Sequence, residues 1–541
     1  MISSFTVAVA FYAATAASSP LSSSTSVGSD SRPTASIDSG VLVGTATSLP
    51  SATATVNQFL GVPFGAPPVR FSPPEPAQSW ESPYDASEYK PACIQEFQYP
   101  EVVRNKTIEW FATPGPPAGE SEDCLNLNVF TPAGAEEGSK AVIFWIYGGS
   151  FAFGAGSIPL YDGSSFATNQ DVVVVTPNYR TNVFGFPGSS ELPEGERNLG
   201  FLDQRLALDW VQRNIAAFGG DPDRVTIAGE SAGGGSVDVL VTNPPEPVPF
   251  HAAIMQSGQG TLHTSAGASA GSWTELAEEF DCPPNDSIDC LREVPALELK
   301  NFIERHQLTF SPERDGGATW ADNPREDRLN STDEDPIIAR VPIMIGSNAD
   351  EGAVEALMQN STEEWLRSSF GDAASDQIIQ ILLQQYAIGS PGISNDADQI
   401  NAISTEFSVG CPAKIIAEDS EEVGIDAWRY YFNGSFPNSE LFPTSGAYHT
   451  AEIELIFGTY EREGATEFQE EVSDAMQEAW ANFAKDPSCG PGWDAAPKVG
   501  VFGGGARPGL SDSGRKALVA IDPEILDRRC VLFKTIYDAA Q

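Results

Sequence analysis

Positive charge is scarce in this chain: 30 Lys and Arg stand against 75 Asp and Glu, a formal net charge of −45 over 541 residues. A surface so acidic repels phosphate backbones, acidic lipids and polyanionic substrates, so nucleic acid is not expected as a partner. It suits a protein kept soluble in mildly acidic surroundings outside the cell. Histidine is scarcer still, at positions 251, 263, 306 and 449, and a base that titrates near neutrality must come from these four. Long apolar runs are missing too: beyond the first residues none reaches membrane-spanning length, and integral membrane association is not expected. Residues 4–17 are apolar but short, and Ala14-Thr-Ala16 offers small residues for cleavage. Residues 1–17 therefore read as a signal peptide, although no Lys or Arg precedes the apolar stretch. Residues 18–36, rich in Ser, Thr and Pro, are expected to be flexible, with one domain from 37 to 541. Repeats and nucleotide fingerprints are absent, and neither cofactor nor metal is expected.

Cysteine is sparse and odd in number. Seven residues, at 93, 124, 282, 290, 411, 489 and 530, permit three disulfides and one leftover thiol in an oxidising compartment. Asn105, Asn285, Asn330, Asn360 and Asn433 head N-glycosylation sequons, each predicting a surface loop if used.

What the chain does contain is a large apolar fraction, 41%, with 49 Gly and 41 Pro scattered rather than periodic, enough for a sizeable core. Residues 171–176 are almost entirely β-branched without polar alternation, which marks a strand buried on both faces. Residues 198–217 carry apolar side chains at helical spacing and end in Phe218-Gly-Gly-Asp-Pro222, a helix stop. Further strands are expected within 37–62 and at 126–130, 141–147, 250–257, 341–346, 425–432 and 499–502, with a late helix at 467–484. Alternation of this kind predicts an α/β fold: an open, mostly parallel sheet with helices on both faces and ligands at the carboxyl ends of its strands. The looser helical stretches 259–330 and 353–424 read as insertions that wall the site.

The organising stretch is Val225-Thr-Ile-Ala-Gly229-Glu230-Ser231-Ala232-Gly233-Gly-Gly-Ser236. A β-branched run enters it and a helix leaves it, as a G-x-S-x-G nucleophile elbow of the α/β-hydrolase fold requires. Gly229 and Gly233 let strand and helix approach, and Ser231 takes the strained position that lifts its hydroxyl clear. A serine nucleophile needs a base. His449 follows the strand at 425–432 on a segment able to reach Ser231, whereas His251 opens a core strand and the other two lie in insertions. The base needs a carboxylate, and Asp350-Glu351, just after the strand at 341–346, offers two between which the pattern does not choose.

Taken together, these segments resemble the type-B carboxylesterases, the family of cholinesterases and fungal secreted lipases. The resemblance runs from about residue 37 to the C-terminus. It rests on Ser121-Glu-Asp-Cys124-Leu-Asn-Leu-Asn128, Trp145-Ile-Tyr-Gly148-Gly149, Asn178-Tyr-Arg180, Gly185-Phe186, Asn198-Leu-Gly-Phe-Leu-Asp-Gln204, Phe218-Gly-Gly-Asp-Pro222, the elbow, Asp350-Glu351-Gly352 and Trp480-Ala-Asn-Phe483. It implies a triad of Ser231, Glu351 and His449, and an oxyanion hole from the amides of Gly149, Ser150 and Ala232. It also implies disulfides Cys93–Cys124, Cys282–Cys290 and Cys411–Cys530, leaving Cys489 as a thiol that should be buried or protected. Ser150 departs from the family's usual glycine, so its Cβ is expected to narrow the pocket or restrict the backbone. Trp110 stands 17 residues after Cys93, the separation of the family's choline-site tryptophan. Val354 and Glu355 occupy positions that are aromatic in cholinesterases, and His306 and Leu308 fall where the acyl-pocket phenylalanines are expected. Specific choline-ester hydrolysis is therefore not expected.

The resulting expectation is a secreted serine carboxylic-ester hydrolase acting on neutral esters of short to medium acyl chain, with Glu230, Trp110, Phe151, Leu308 and Val354 as pocket residues. A lipase of long-chain esters, an amidase or lactonase, and a catalytically dead adhesion module are the alternatives; retention of all three triad residues speaks against the last.

Overall fold

The computed structural model describes residues 32–49, 54–262, 268–357, 359–371 and 375–539. The signal-peptide reading, most of the segment expected to be flexible, and His263 lie outside these residues. Pro33–Gln541 forms one compact unit, and its first strand starts at Thr34, inside the segment expected to be flexible.

The strands in chain order are β1 (Thr34–Ile37), β2 (Gly40–Val43), β3 (Thr45–Thr47), β4 (Val56–Pro63), β5 (Tyr84–Asp85), β6 (Asn126–Pro132) and β7 (Lys140–Ile146). They continue with β8 (Val173–Pro177), β9 (Gly220–Glu230), β10 (Ala252–Gln256), β11 (Ile343–Asn348), β12 (Ala427–Phe432), β13 (Val499–Phe502) and β14 (Leu518–Ile521). Eleven of them form one sheet in the order β14-β13-β12-β11-β10-β9-β7-β8-β6-β4-β3, and β1, β2 and β5 form a small separate sheet. The run from β8 to β13 is parallel, while β3, β4, β6 and β14 add antiparallel edges. This is the mixed, mainly parallel sheet of an α/β-hydrolase fold.

Local chemistry explains the centre. Every residue of β8 is buried, as its unbroken β-branched run requires, and each buried valine contributes about 1.5–3 kcal/mol relative to exposure. The helix Ala232–Thr242 is buried along its whole length, so its small first turn and apolar remainder face protein on every side. The predicted helix at 198–217 ends earlier, at Asn214, and closes in a 3₁₀ turn Ile215–Phe218 with Gly219 left-handed at φ +88°, the geometry glycine adopts most cheaply.

Both insertions carry small cores of their own. Phe71, Trp273, Leu276, Leu299, Ile303, Leu308 and Phe310 pack together under the first. Trp365, Leu366, Ile400 and Ile403 of the second pack with the C-terminal Phe533 and Tyr537. Disulfides join Cys93 to Cys124, Cys282 to Cys290 and Cys411 to Cys530. Among the described residues no helix is long and apolar enough to cross a membrane.

Candidate active site

Strand β9 delivers Ser231 to the sheet's carboxyl edge, where it caps the helix Ala232–Thr242 with φ +56° and ψ −121°. That conformation is costly for a residue with a side chain and persists only where its surroundings enforce it. Here the enforcement is steric. A Cβ on Gly233 would stand 2.0 Å from the Ile146 carbonyl oxygen, one on Gly229 2.5 Å from Gly233, and one on Gly258 1.9 Å from the Ser231 carbonyl oxygen. The Ser231 amide donates to the Gln256 carbonyl at 2.8 Å, which ties the turn to β10.

His449 and Glu351 meet across the ends of β11 and β12. His449 Nδ1 lies 2.6 Å from Glu351 Oε2. Glu351 Oε1 accepts the Ser257 hydroxyl and the Asn348 amide, each at 2.6 Å. A carboxylate so held keeps its second oxygen aimed at the ring and selects the tautomer with a proton on Nδ1. Asp350 has a different task. Its Oδ2 accepts the Ala447 amide and faces Arg507, and its backbone pairs with the segment carrying His449. Ser257 and Asn348 were not among the sequence-predicted residues; their only signal was a place at the ends of β10 and β11. Glu452 was also missed. Fully buried, it accepts from Asn348 Nδ2 at 2.5 Å and Gln256 Nε2 at 3.0 Å, while Gln256 accepts from Trp480 Nε1.

Three carboxylates thus surround one imidazole. Burial disfavours a charged ring, but Glu230, Glu351 and Glu452 outweigh it and raise the His449 pKa to about 10. Glu230, 1% exposed, is pushed up to about 8 by burial first and by Glu452 and Glu351 next, against the pull of His449. Its Oε1 stands 3.3 Å from His449 Nε2. Protonating Glu230 removes one of the anions that hold a proton on the ring, so a neutral Glu230 leaves His449 a more available base.

Gly149, Ser150 and Phe151 have φ +107°, +55° and +58°. The left-handed setting costs on the order of 1 kcal/mol for each non-glycine residue, and Ser150 adopts, at that cost, a backbone conformation that glycine reaches freely. The loop is held from behind: the Ala152 and Phe153 amides donate to the Gly149 carbonyl, and the Asn182 amide donates to that of Phe151. The amides of Gly149, Ser150 and Ala232 have no acceptor among the described residues, and Ala232 opens its helix, where amides point outward and favour negative charge.

Gly149, Ser150, Glu230, Ser231 and His449 line one cavity of about 580 Å³, with Trp110 on its rim. Trp110 belongs to the helix Glu101–Phe111, which buries none of its residues and stands in the Cys93–Cys124 loop as the expected rim. Three other pocket expectations need correction. Phe151 turns away to pack on Phe186 and Phe201. Leu308 is buried in the first insertion's own core. Val354 sits on a short helix Ala353–Ala356 outside the cavity wall, and its neighbour Glu355 accepts from Trp365 and Ser404.

The sequons divide. Asn285 and Asn360 are exposed outside helices and strands; Asn105 and Asn330 are exposed too, although Asn105 lies on the rim helix and Asn330 ends the helix Pro324–Asn330 rather than sitting in a loop. Asn433 is half-buried and accepts the Gly505 amide. Cys489, expected to be buried or protected, is exposed. Its thiol donates to Asp486 at 3.2 Å, and that hydrogen bond with the adjacent negative charge pushes its pKa up, so protection comes from less thiolate rather than from burial. His251 bridges Thr226 and the Ala484 carbonyl, a packing role.

A hydroxyl at a helix N-terminus, an imidazole set on a carboxylate, and free amides beside them can together carry out nucleophilic acyl transfer. Residues 31–495 match the carboxylesterase family. The chain is 32% identical to Secreted lipase 5 of Gibberella zeae over 82% of its length and 84% of the lipase. It is 33% identical to the cocaine esterase of Homo sapiens, over 86% and 85%. Against the acetylcholinesterase of Bungarus fasciatus it is 32% identical over 84% and 78%.

Proposed function

This chain belongs to the carboxylesterase family, and we propose that it is a secreted serine esterase that hydrolyses neutral esters of short to medium acyl chain through an acyl-enzyme. The observation that carries the mechanism is the 2.6 Å contact between His449 and Glu351 beside a strained Ser231 on the same cavity wall. In this reading Ser231 Oγ attacks the ester carbonyl while His449 Nε2 takes its proton. The developing oxyanion accepts from Gly149, Ser150 and Ala232, each amide being worth roughly 3 kcal/mol in the transition state. His449 then protonates the departing alkoxide, and water activated by the same ring releases the acid.

The substrate reading rests on the cavity. Among the described residues no Lys or Arg lines it, so an anionic ester would find no counter-charge there, and a volume of about 580 Å³ must hold both acyl and alcohol parts. Export is supported by three disulfides and by the secreted relative. The test is Ser231→Ala, which is expected to lower kcat roughly 1,000-fold or more while the protein stays folded. A phosphonate probe should label Ser231 in the parent enzyme. A folded variant retaining a tenth of normal kcat would remove Ser231 from the mechanism.

A further inference from the structure

The cavity wall beside His449 carries two buried acceptors that no protein donor satisfies. Asn438, Glu440, Glu454 and Glu461 lie on it with Glu109 and Glu230. Glu454 Oε1 and Asn438 Oδ1 are buried without a hydrogen-bond partner, while Glu230 Oε1 faces His449 Nε2 at 3.3 Å. Leaving a buried acceptor unpaired costs about 1–3 kcal/mol, so this wall is built for a ligand that brings donors.

Its position says which half of the ester it faces. The leaving oxygen must take its proton from His449, so the alcohol lies on the His449 side. Glu454 follows His449 by five residues and Asn438 precedes it on the neighbouring loop, where its Nδ2 is anchored to the Glu461 carbonyl. Resting on the esterase reading above, we infer that the alcohol half of the substrate carries several free hydroxyls, as in a glycerol or sugar monoester, and that Glu454 and Asn438 select it by accepting them.

The same atoms argue against other alcohols. A quaternary ammonium has no N–H and would leave every one of these oxygens unpaired, and a Lys106 ammonium already stands 5.1 Å from the centre of the Trp110 ring. A plain alkyl alcohol brings no donor either. Burial raises the Glu454 pKa to about 8, so near neutrality it is largely an uncharged acid, suited to exchanging hydrogen bonds with a neutral polyol rather than to pairing with a cation.

The experiment compares 1-monobutyrin with n-propyl butyrate, which share the acyl chain and the carbon count of the alcohol, with butyrylcholine and p-nitrophenyl butyrate alongside. The parent enzyme should favour monobutyrin over propyl butyrate roughly tenfold in kcat/KM, since two recovered hydrogen bonds distinguish them. Glu454→Met and Asn438→Leu should each cut that ratio to about a third or less, the loss falling on monobutyrin. A parent ratio near one, butyrylcholine ahead of monobutyrin, or variants that lower both butyrates in equal proportion would overturn the inference. The parent ratio decides the matter alone if the variants fail to fold. An enzyme inert toward all four esters would instead overturn the esterase reading on which the selection rests.

Discussion

At the residue scale, two adjacent acids do different work. Glu351 touches the His449 ring, whereas Asp350 holds the backbone that carries it. Glu351→Gln keeps the shape but removes the anion opposite the imidazolium, and kcat should fall roughly 1,000-fold or more. Asp350→Asn leaves that anion in place and should cost no more than about tenfold, with part of the loss appearing as lower thermal stability. Rate constants on matched folded proteins decide it, and the opposite ranking would make Asp350 the acid. Glu230 acts on the same ring through charge. His449 must be neutral to accept the Ser231 proton, and the Glu230 carboxylate raises its pKa, so Glu230→Gln should lower that pKa. The acid limb of kcat/KM against pH should therefore move to lower pH. A limb that stays put or moves up would show that Glu230 does not control the ring's proton.

At the scale of elements, the parts most legible in the sequence were those whose burial leaves a local pattern. The β-branched run of β8, the apolar spacing of the helix Leu199–Asn214 and the glycines flanking Ser231 each encode their own surroundings. The antiparallel edges were not legible, because the partner of a strand is chosen by distant chain; β4 pairs with β6 across the whole Cys93 loop. Leu308, in the first insertion, and Phe151, on the loop after β7, were misplaced for a related reason, since an apolar side chain beside a site fits a pocket or a private core equally well until packing is known. The choice between Asp350 and Glu351 needed the reach of a side chain, which spacing does not contain. The rim helix Glu101–Phe111 shows the same gap, because it buries no residue fully and only half-covers Val103, Ile108, Trp110 and Phe111. Its place over the cavity rests on a few contacts, Arg104 on the buried Glu304 and Trp110 on Phe442, and on the Cys93–Cys124 link, which closes a loop of sequence separation 31. Removing that link with Cys93→Ser and Cys124→Ser should cost about 3–4 kcal/mol by loop-closure entropy. It should also loosen Trp110 and Glu109, raising KM more than it lowers kcat, because Ser231, Glu351 and His449 sit on other elements. Steady-state kinetics with a thermal melt tests this; a collapse of kcat at unchanged KM would mean the rim helix positions the reacting groups themselves.

At the scale of the whole molecule, a net charge of −45 and a cavity lined by Glu109, Glu230, Glu440, Glu454 and Glu461, with no Lys or Arg among its described lining residues, act on an approaching substrate at two ranges. The surface field extends over a Debye length, about 30 Å at 0.01 M salt and about 10 Å at 0.1 M, so salt weakens it. The cavity carboxylates act at contact, where little water screens them, and where an anion must also shed its hydration to enter. Of these, Glu230 and Glu454, both pushed up to about 8, add full charge only as pH rises past that value. The two contributions separate in one experiment, using p-nitrophenyl esters of a neutral acyl chain and of the hemisuccinate of similar length. At low salt kcat/KM for the anionic ester should lie roughly two orders of magnitude or more below that of its neutral counterpart. Added NaCl should raise the anionic value while leaving the neutral one nearly flat, because only the long-range repulsion is being removed. A deficit should persist at high salt, and that remainder measures the cavity. Equal rates for the two esters at low salt would show that the acyl half meets positive potential despite the acidic surface. Recovery of the anionic ester to full parity at high salt would place the whole barrier on the surface and leave the five glutamates of the cavity out of substrate selection by charge.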